Sequence, residues 1–150
     1  MSVVVDLNVM RTAWTSINPY DAWDIDATVL LAQIVKKCHK FFVTKEIDTL
    51  YRHLFDQLRL AYPHGPDSLN VVKLYFQAKI YGKVDETRRS AELPSLPDES
   101  GIKDEDREFA RLANLTGSIL VTYDDPLILV LDSLGVSAMT PKEAITVLNL

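Results

Sequence analysis

Cysteine is almost missing from the 150 residues: Cys38 is alone. No internal disulfide can form, and a reducing compartment suits the chain. Cys38 falls in a stretch with helical patterning, where a buried inert thiol is expected rather than a nucleophile. Long hydrophobic runs are missing too, so no segment approaches the roughly 20 apolar residues that cross a bilayer. Met1-Ser2-Val3 carries no basic leader and no cleavage site. A cytoplasmic protein that does not engage a membrane is expected. Glycine is sparse, with 5 residues, and none builds a phosphate-cradling loop or a G-x-S-x-G elbow. His39, His53 and His64 lack the H-E-x-x-H spacing of a zinc site. Positive charge is also short, at a formal net charge of -5. Taken whole, that argues mildly against nucleic acid. Yet Asp6, Asp104, Asp106, Asp124 and Asp125, gathered in one place, would account for all of it and leave room for a basic patch elsewhere.

What is present is ordinary for a folded protein: 47% hydrophobic and 25% charged residues. The length suits one domain over 1–150 with a real core. Val3 to Val5 is a short β-branched run of the kind buried on both faces of a sheet. After a polar turn, 22–40 reads as a helix. A strand follows at 41–43, then an amphipathic helix at 45–61 with Thr44 as N-cap. Pro63-His64-Gly65-Pro66 ends it. Another helix is expected over 68–82, with Tyr75, Phe76 and Tyr81 in the core or at a dimer interface. A loop covers 84–101, with a short strand near 91–93. A helix opened by Asp104 or Asp106 closes at Gly117. Strands at 119–122 and 136–139 flank a helix at 126–134, and Thr140-Pro141 starts a terminal helix. Strands alternating with helices predict an α/β fold, a three-layer α/β/α sandwich around a parallel sheet of four to five strands.

Three acidic signatures stand out: Val5-Asp6-Leu7-Asn8, Asp104-Glu105-Asp106, and Val121-Thr122-Tyr123-Asp124-Asp125. Two follow short β-type runs, and one opens a helix. An open α/β sheet gathers such positions into a crevice at the carboxyl ends of its strands. Crowded carboxylates repel one another unless something positive lies between them, so a divalent ion is the economical expectation. Asp6, Asp106 and Asp124 are the candidate ligands, with hard oxygens suited to Mg²⁺ or Mn²⁺. Asn8 is placed to hold Asp6, and Thr122 to hold Asp124. Asp104 and Asp125 are expected as helpers or solvated acids. Each acid alone also suits a plainer role as a turn residue, helix cap or favourable helix-dipole charge. It is their coincidence that points to chemistry.

Asp6-Leu7-Asn8 after a hydrophobic strand resembles the opening D-x-N of PIN domains. Asp106-Arg107-Glu108-Phe109 with Ala113 and Gly117 is similar to that family's D-x-x-I…A…G helix, and Leu120-Val121-Thr122-Tyr123-Asp124 to its L-V-T-x-D strand end. Gly135-Val136 and Thr140-Pro141-Lys142-Glu143 match its closing strand and helix. The resemblance spans essentially the whole chain. It implies a Mg²⁺- or Mn²⁺-dependent ribonuclease, with RNA as substrate. Many members are VapC-type toxins held by an antitoxin, commonly as homodimers.

One position departs from the pattern. The family's second acid, a turn into the helix after the second strand, falls on Leu50. Glu46 lies on the same helix face one turn earlier and is the candidate substitute, while Asp48 should point away. The alternative reading is therefore a catalytically degenerate module of this kind that binds RNA or a protein without cleaving. Receiver domains and D-x-D phosphatases also place an acid after the first strand. The chain lacks the acidic pair of the former, and Asn8 breaks the motif of the latter. Candidate RNA-backbone cations are Arg11, Lys73, Lys79, Lys83, Arg88 and Arg89.

Overall fold

The computed structural model describes residues 1–37, 39–63 and 68–149, with backbone alone for 68–72. The expectations for Cys38, for His64 to Pro66 and for Leu150 lie outside those residues.

The apolar run at the start becomes the middle of the sheet. Strand β1 (Ser2–Val5) has Val3, Val4 and Val5 fully buried. It pairs in parallel with β2 (Lys40–Thr44) on one side and β4 (Ile119–Val121) on the other. Outside these lie β3 (Val84–Arg88) and β5 (Ala138–Met139). The order is β3-β2-β1-β4-β5, with every pairing parallel.

Parallel neighbours need crossovers, and these are right-handed. Moving outward through β2 to β3 therefore puts α1 (Leu7–Thr15), α2 (Asp26–Lys36), α3 (Lys45–Ala61) and α4 (Ser68–Ile80) on one face. Crossing back to β4 and β5 puts α5 (Asp104–Thr116) and α6 (Asp125–Ser133) on the other. Helix α7 (Pro141–Leu148) returns to pack on α2, and α5 lies against β1, β2 and β4. The result is the expected three-layer sandwich with a five-stranded parallel sheet. No helix among the described residues is long and apolar enough to cross a membrane.

Local chemistry explains where the elements begin. Thr44 accepts from the Ile47 N–H (3.0 Å) and starts α3 at the expected residue. Gly117 closes α5 at φ +64°, where a side chain would be strained. Four elements differ from expectation. The segment after β1, where the sequence predicts a polar turn, holds α1, because Val9, Met10, Ala13 and Trp14 share one buried face and Asp6 caps its N-terminus. Helix α2 is shorter than 22–40. Ser16 (φ +58°) and Asp21 (φ +61°) turn the chain over 16–25, and Lys40 already belongs to β2. The expected loop at 84–101 begins with β3, and the strand expected at 91–93 is a 3-10 turn over Ser90–Glu92. As an edge strand, β3 can be polar, so Val-Asp-Glu-Thr-Arg has no hydrophobic alternation to reveal it.

Asp48 faces away from the strand ends, as expected, but into the interior. It is buried and takes hydrogen bonds from the Tyr75 hydroxyl, Lys79 Nζ (2.7 Å) and Arg52 Nε (2.9 Å). Lys79 also reaches Glu86 in β3 (3.1 Å), so the network ties α3, α4 and β3 together. Burial pushes the Asp48 carboxyl up, but Lys79, Tyr75 and Arg52 outweigh it and hold the group below the ordinary carboxylate value. Asp48→Ala removes the shorter of the two ion pairs of a largely covered cation and is expected to cost about 2–4 kcal/mol. This reads as a lower urea midpoint at unchanged m-value. The wild-type advantage should be complete at neutral pH and fade as pH falls below about 4. An unchanged midpoint would show that the network contributes nothing net.

Candidate acidic site at the carboxyl ends of the central strands

The sheet reverses its winding direction between β1 and β4, and the crevice at such a switch point is where open α/β sheets bind ligands. Val5 pairs with Val121, and the Asp6 N–H donates to the Val121 carbonyl (3.0 Å). The residues after the two strands are thus forced side by side. Asp6 is buried and caps α1, with Oδ1 accepting from the Leu7 N–H (2.7 Å). Its Oδ2 accepts from the Thr122 hydroxyl (2.8 Å). That hydroxyl oxygen accepts in turn from Asn8 Nδ2 (3.2 Å) and from the Asp124 N–H (3.1 Å). Asn8 Oδ1 receives the Tyr123 N–H (3.2 Å). Thr122 therefore meets Asp124 through the latter's N–H and takes over the support of Asp6 expected of Asn8. Thr122 holds Asp6, and Asn8 holds Thr122 and the β4 end.

Asp124 follows β4 and caps α6 through the Leu127 N–H (3.1 Å to Oδ1). Asp106 arrives from the first turn of α5. It lines, with Asp124, Lys103 and Gly101, a cavity of about 190 Å³. Asp6, Asp106 and Asp124 come together electrostatically. Asp106 is pushed up to about 6, first by burial and then by Asp6, Asp124 and Glu105, with Lys103 opposing. Asp6 is raised by burial, partly offset by the Thr122 and Leu7 hydrogen bonds, and raised further by Asp124 and Glu105.

The remaining candidates scatter. Glu46 is tied to the 3-10 turn, accepting from the Ser90 N–H (2.8 Å) and hydroxyl (2.9 Å), with Arg89 at 3.8 Å. Leu50 is 40% exposed on α3. Asp104 is exposed and pairs with Arg107 (2.9 Å). Asp125 accepts from the Tyr20 hydroxyl (2.8 Å), which latches the 16–25 loop to the β4 end. Among the proposed RNA-facing cations, Lys79 and Lys83 are corrected. Lys79 serves the Asp48 network, and Lys83 Nζ donates to the Val35 and Lys37 carbonyls. Arg88 lies over the Phe42 ring and beside Asp85. Lys73 and Arg11 are exposed. Tyr75 is core, while Phe76 and Tyr81 are partly exposed.

Two further acids of α5, Glu105 and Glu108, are not among the candidate site residues expected from the sequence. Glu105 opposes the ionisation of Asp6 and Asp106. Glu108, half-buried, accepts from the Thr44 hydroxyl (2.7 Å) and is raised by burial and by Glu46. Their i, i+3 spacing on the helix that carries Asp106 was a visible signal.

The donor set is all hard oxygen and carries repulsion that a divalent cation would relieve, which fits Mg²⁺ or Mn²⁺. Among the described residues, however, no three His, Cys, Asp or Glu side chains are arranged closely enough to hold a metal as they stand. The chemistry fits, and the carboxylates would have to draw together.

No family model matches the chain, and no curated protein sequence matches it. Among solved structures it is similar to a domain of a functionally unknown protein from Methanocaldococcus jannaschii DSM 2661. The two share 18% identity over 93% of this chain and 89% of that one, at a TM-score of 0.48.

Because the folded protein keeps the Asp106 proton to higher pH than the unfolded chain does, ionising it costs stability as pH rises from about 4 to about 6. Without divalent cations, Asp106→Asn should therefore stabilise the protein at pH 7. The gain should be on the order of 1 kcal/mol, since solvent screens a half-buried charge, and should shrink toward pH 4. Thermal melts at the two pH values check this. A variant less stable than wild type at pH 7 would contradict the crowding.

Proposed function

We propose that the chain is a PIN-like endoribonuclease dependent on Mg²⁺ or Mn²⁺, hydrolysing phosphodiester bonds of RNA. The observation that supports this most is that carboxylates from three separate segments crowd the switch point of the sheet, where Asp124 opposes the ionisation of both Asp6 and Asp106, and Asp6 opposes that of Asp106. A bound divalent ion would supply Lewis acidity and charge neutralisation to a phosphodiester. Asp6, Asp106 and Asp124 would hold it, with Thr122 and Asn8 keeping Asp6 in place. A fourth carboxylate would come from Glu46 or, on the helix that carries Asp106, from Glu108. The cytoplasm is the proposed compartment. A toxin role, with an antitoxin and a homodimer, rests on the family resemblance.

A second reading is a non-cleaving module that binds RNA or a protein. It is favoured by the exposed Leu50 at the usual acid position and by the spread of the acids.

Calorimetric titration of Mn²⁺ into wild type and Asp6→Asn, beside an RNA cleavage assay, separates the two. The nuclease reading expects binding and cleavage in wild type and a loss of cleavage of at least about 100-fold in a still-folded Asp6→Asn. Mn²⁺ affinity should weaken as pH falls through about 6, where the Asp106 proton competes. A folded wild type that never cleaves leaves the second reading, and a fully active Asp6→Asn removes the site assignment.

A further inference from the structure

Beside the acids, along α1, runs a groove of about 540 Å³ that includes Asn8, Arg11, Thr15, Ile17, Asp21 and Tyr62 in its lining. This is within the roughly 300–1,000 Å³ typical of small-ligand sites. Asn8, Arg11 and Thr15 recur at helical spacing on one face of α1, over about 10 Å of helix. Asn8 stands at the acid end, bonded to the Thr122 that holds Asp6, so the groove and the acidic site share a wall.

We infer that this groove holds one nucleotide of an RNA single strand, its phosphate on Arg11 and its base against Tyr62, so that the adjoining phosphate reaches the acids. This rests on the nuclease reading for what happens at the acids, but not for the binding itself.

Three observations carry it. The Arg11 side chain is exposed and, among the described residues, has no hydrogen-bonded or ion-paired partner. Lys79 and Lys83, by contrast, are spent on internal partners. A free guanidinium beside an acidic crevice offers a phosphate forked, charge-assisted hydrogen bonds. Tyr62 is 51% exposed, yet its backbone is fixed, because its carbonyl accepts from Trp14 Nε1 (3.3 Å) under α1. An exposed aromatic ring on an anchored backbone offers a face on which a base can stack. Ile17, 42% exposed, adds apolar surface, and the Asp21 carboxylate adds an acceptor for an amino or hydroxyl group. Aromatic, cationic and acceptor groups together suit a nucleotide better than an apolar peptide.

The test uses a fluorescein-labelled single-stranded RNA hexamer and anisotropy, in the Asp6→Asn background so that cleavage cannot interfere. Arg11→Gln and Tyr62→Ala should each weaken binding about tenfold. Tyr62→Phe should retain it, and Arg11→Gln should reduce the salt slope by about one. Tyr62→Phe and Arg11→Gln keep the fold, so a misfolded Tyr62→Ala does not decide the result. With Asp6 intact, the same changes should raise KM for RNA and spare kcat. Wild-type affinity in the Arg11 and Tyr62 variants overturns the groove while cleavage, if present, keeps the nuclease reading. Loss of RNA binding in those variants with no cleavage by wild type keeps the groove and ends the nuclease reading. No RNA binding by the parent overturns the groove, including the case in which a protein segment occupies it.

Discussion

The hydrogen bond from the Thr122 hydroxyl to Asp6 is the contact on which the functional end of the molecule depends. It joins the residues after β1 and β4 just where parallel pairing ends. A buried carboxylate is expensive unless its oxygens are satisfied. Here one oxygen caps α1 through the Leu7 N–H and the other takes the Thr122 proton. Thr122 can donate there because Asn8 and the Asp124 amide donate to its oxygen. A single side chain thus sets the exit of both central strands, the start of α1 and the entry into α6.

Against that satisfied anchor stands an unsatisfied neighbour. Asp106 has burial and three nearby carboxylates acting against its charge, with Lys103 alone opposing. The contrast with Asp48 is instructive. Both are aspartates near a helix start, but Asp48 is surrounded by Lys79, Arg52 and Tyr75 and is pulled down, while Asp106 is pushed up. The first is stability invested in holding α3, α4 and β3 together. The second is electrostatic strain kept at a crevice, the pattern of functional sites.

Much of this was readable along the chain. Val3 to Val5 could only be a doubly buried strand, Thr44 and Thr140 announced their helices, and Gly117 closed its own. The acids after β1 and β4 were equally plain, because a residue following a short apolar run must emerge at a strand end. Less legible were α1 and β3. The apolar residues of α1 alternate along the chain with Asn8, Arg11 and Thr12, and β3 is polar after Val84 because it is an edge. The inward turn of Lys79 and Lys83 was invisible, since a lysine in a sequence carries no sign of the carboxylate or carbonyls it will meet.

By itself the sequence determined the alternation of strands and helices, the caps that bound them, and which acids would stand at strand ends. These follow from local dihedral preference and hydrophobic period, which act between near neighbours. Only the tertiary structure decided that Thr122 serves Asp6, that Glu105 acts on Asp6 and Asp106, that Glu108 takes the Thr44 hydroxyl, that Glu46 holds the Ser90 turn, and that Arg11 and Tyr62 share a groove beside the acids. Those relations depend on strand order and register, which bring together residues up to 116 positions apart. Electrostatic coupling falls off with distance in space, whatever the separation along the chain.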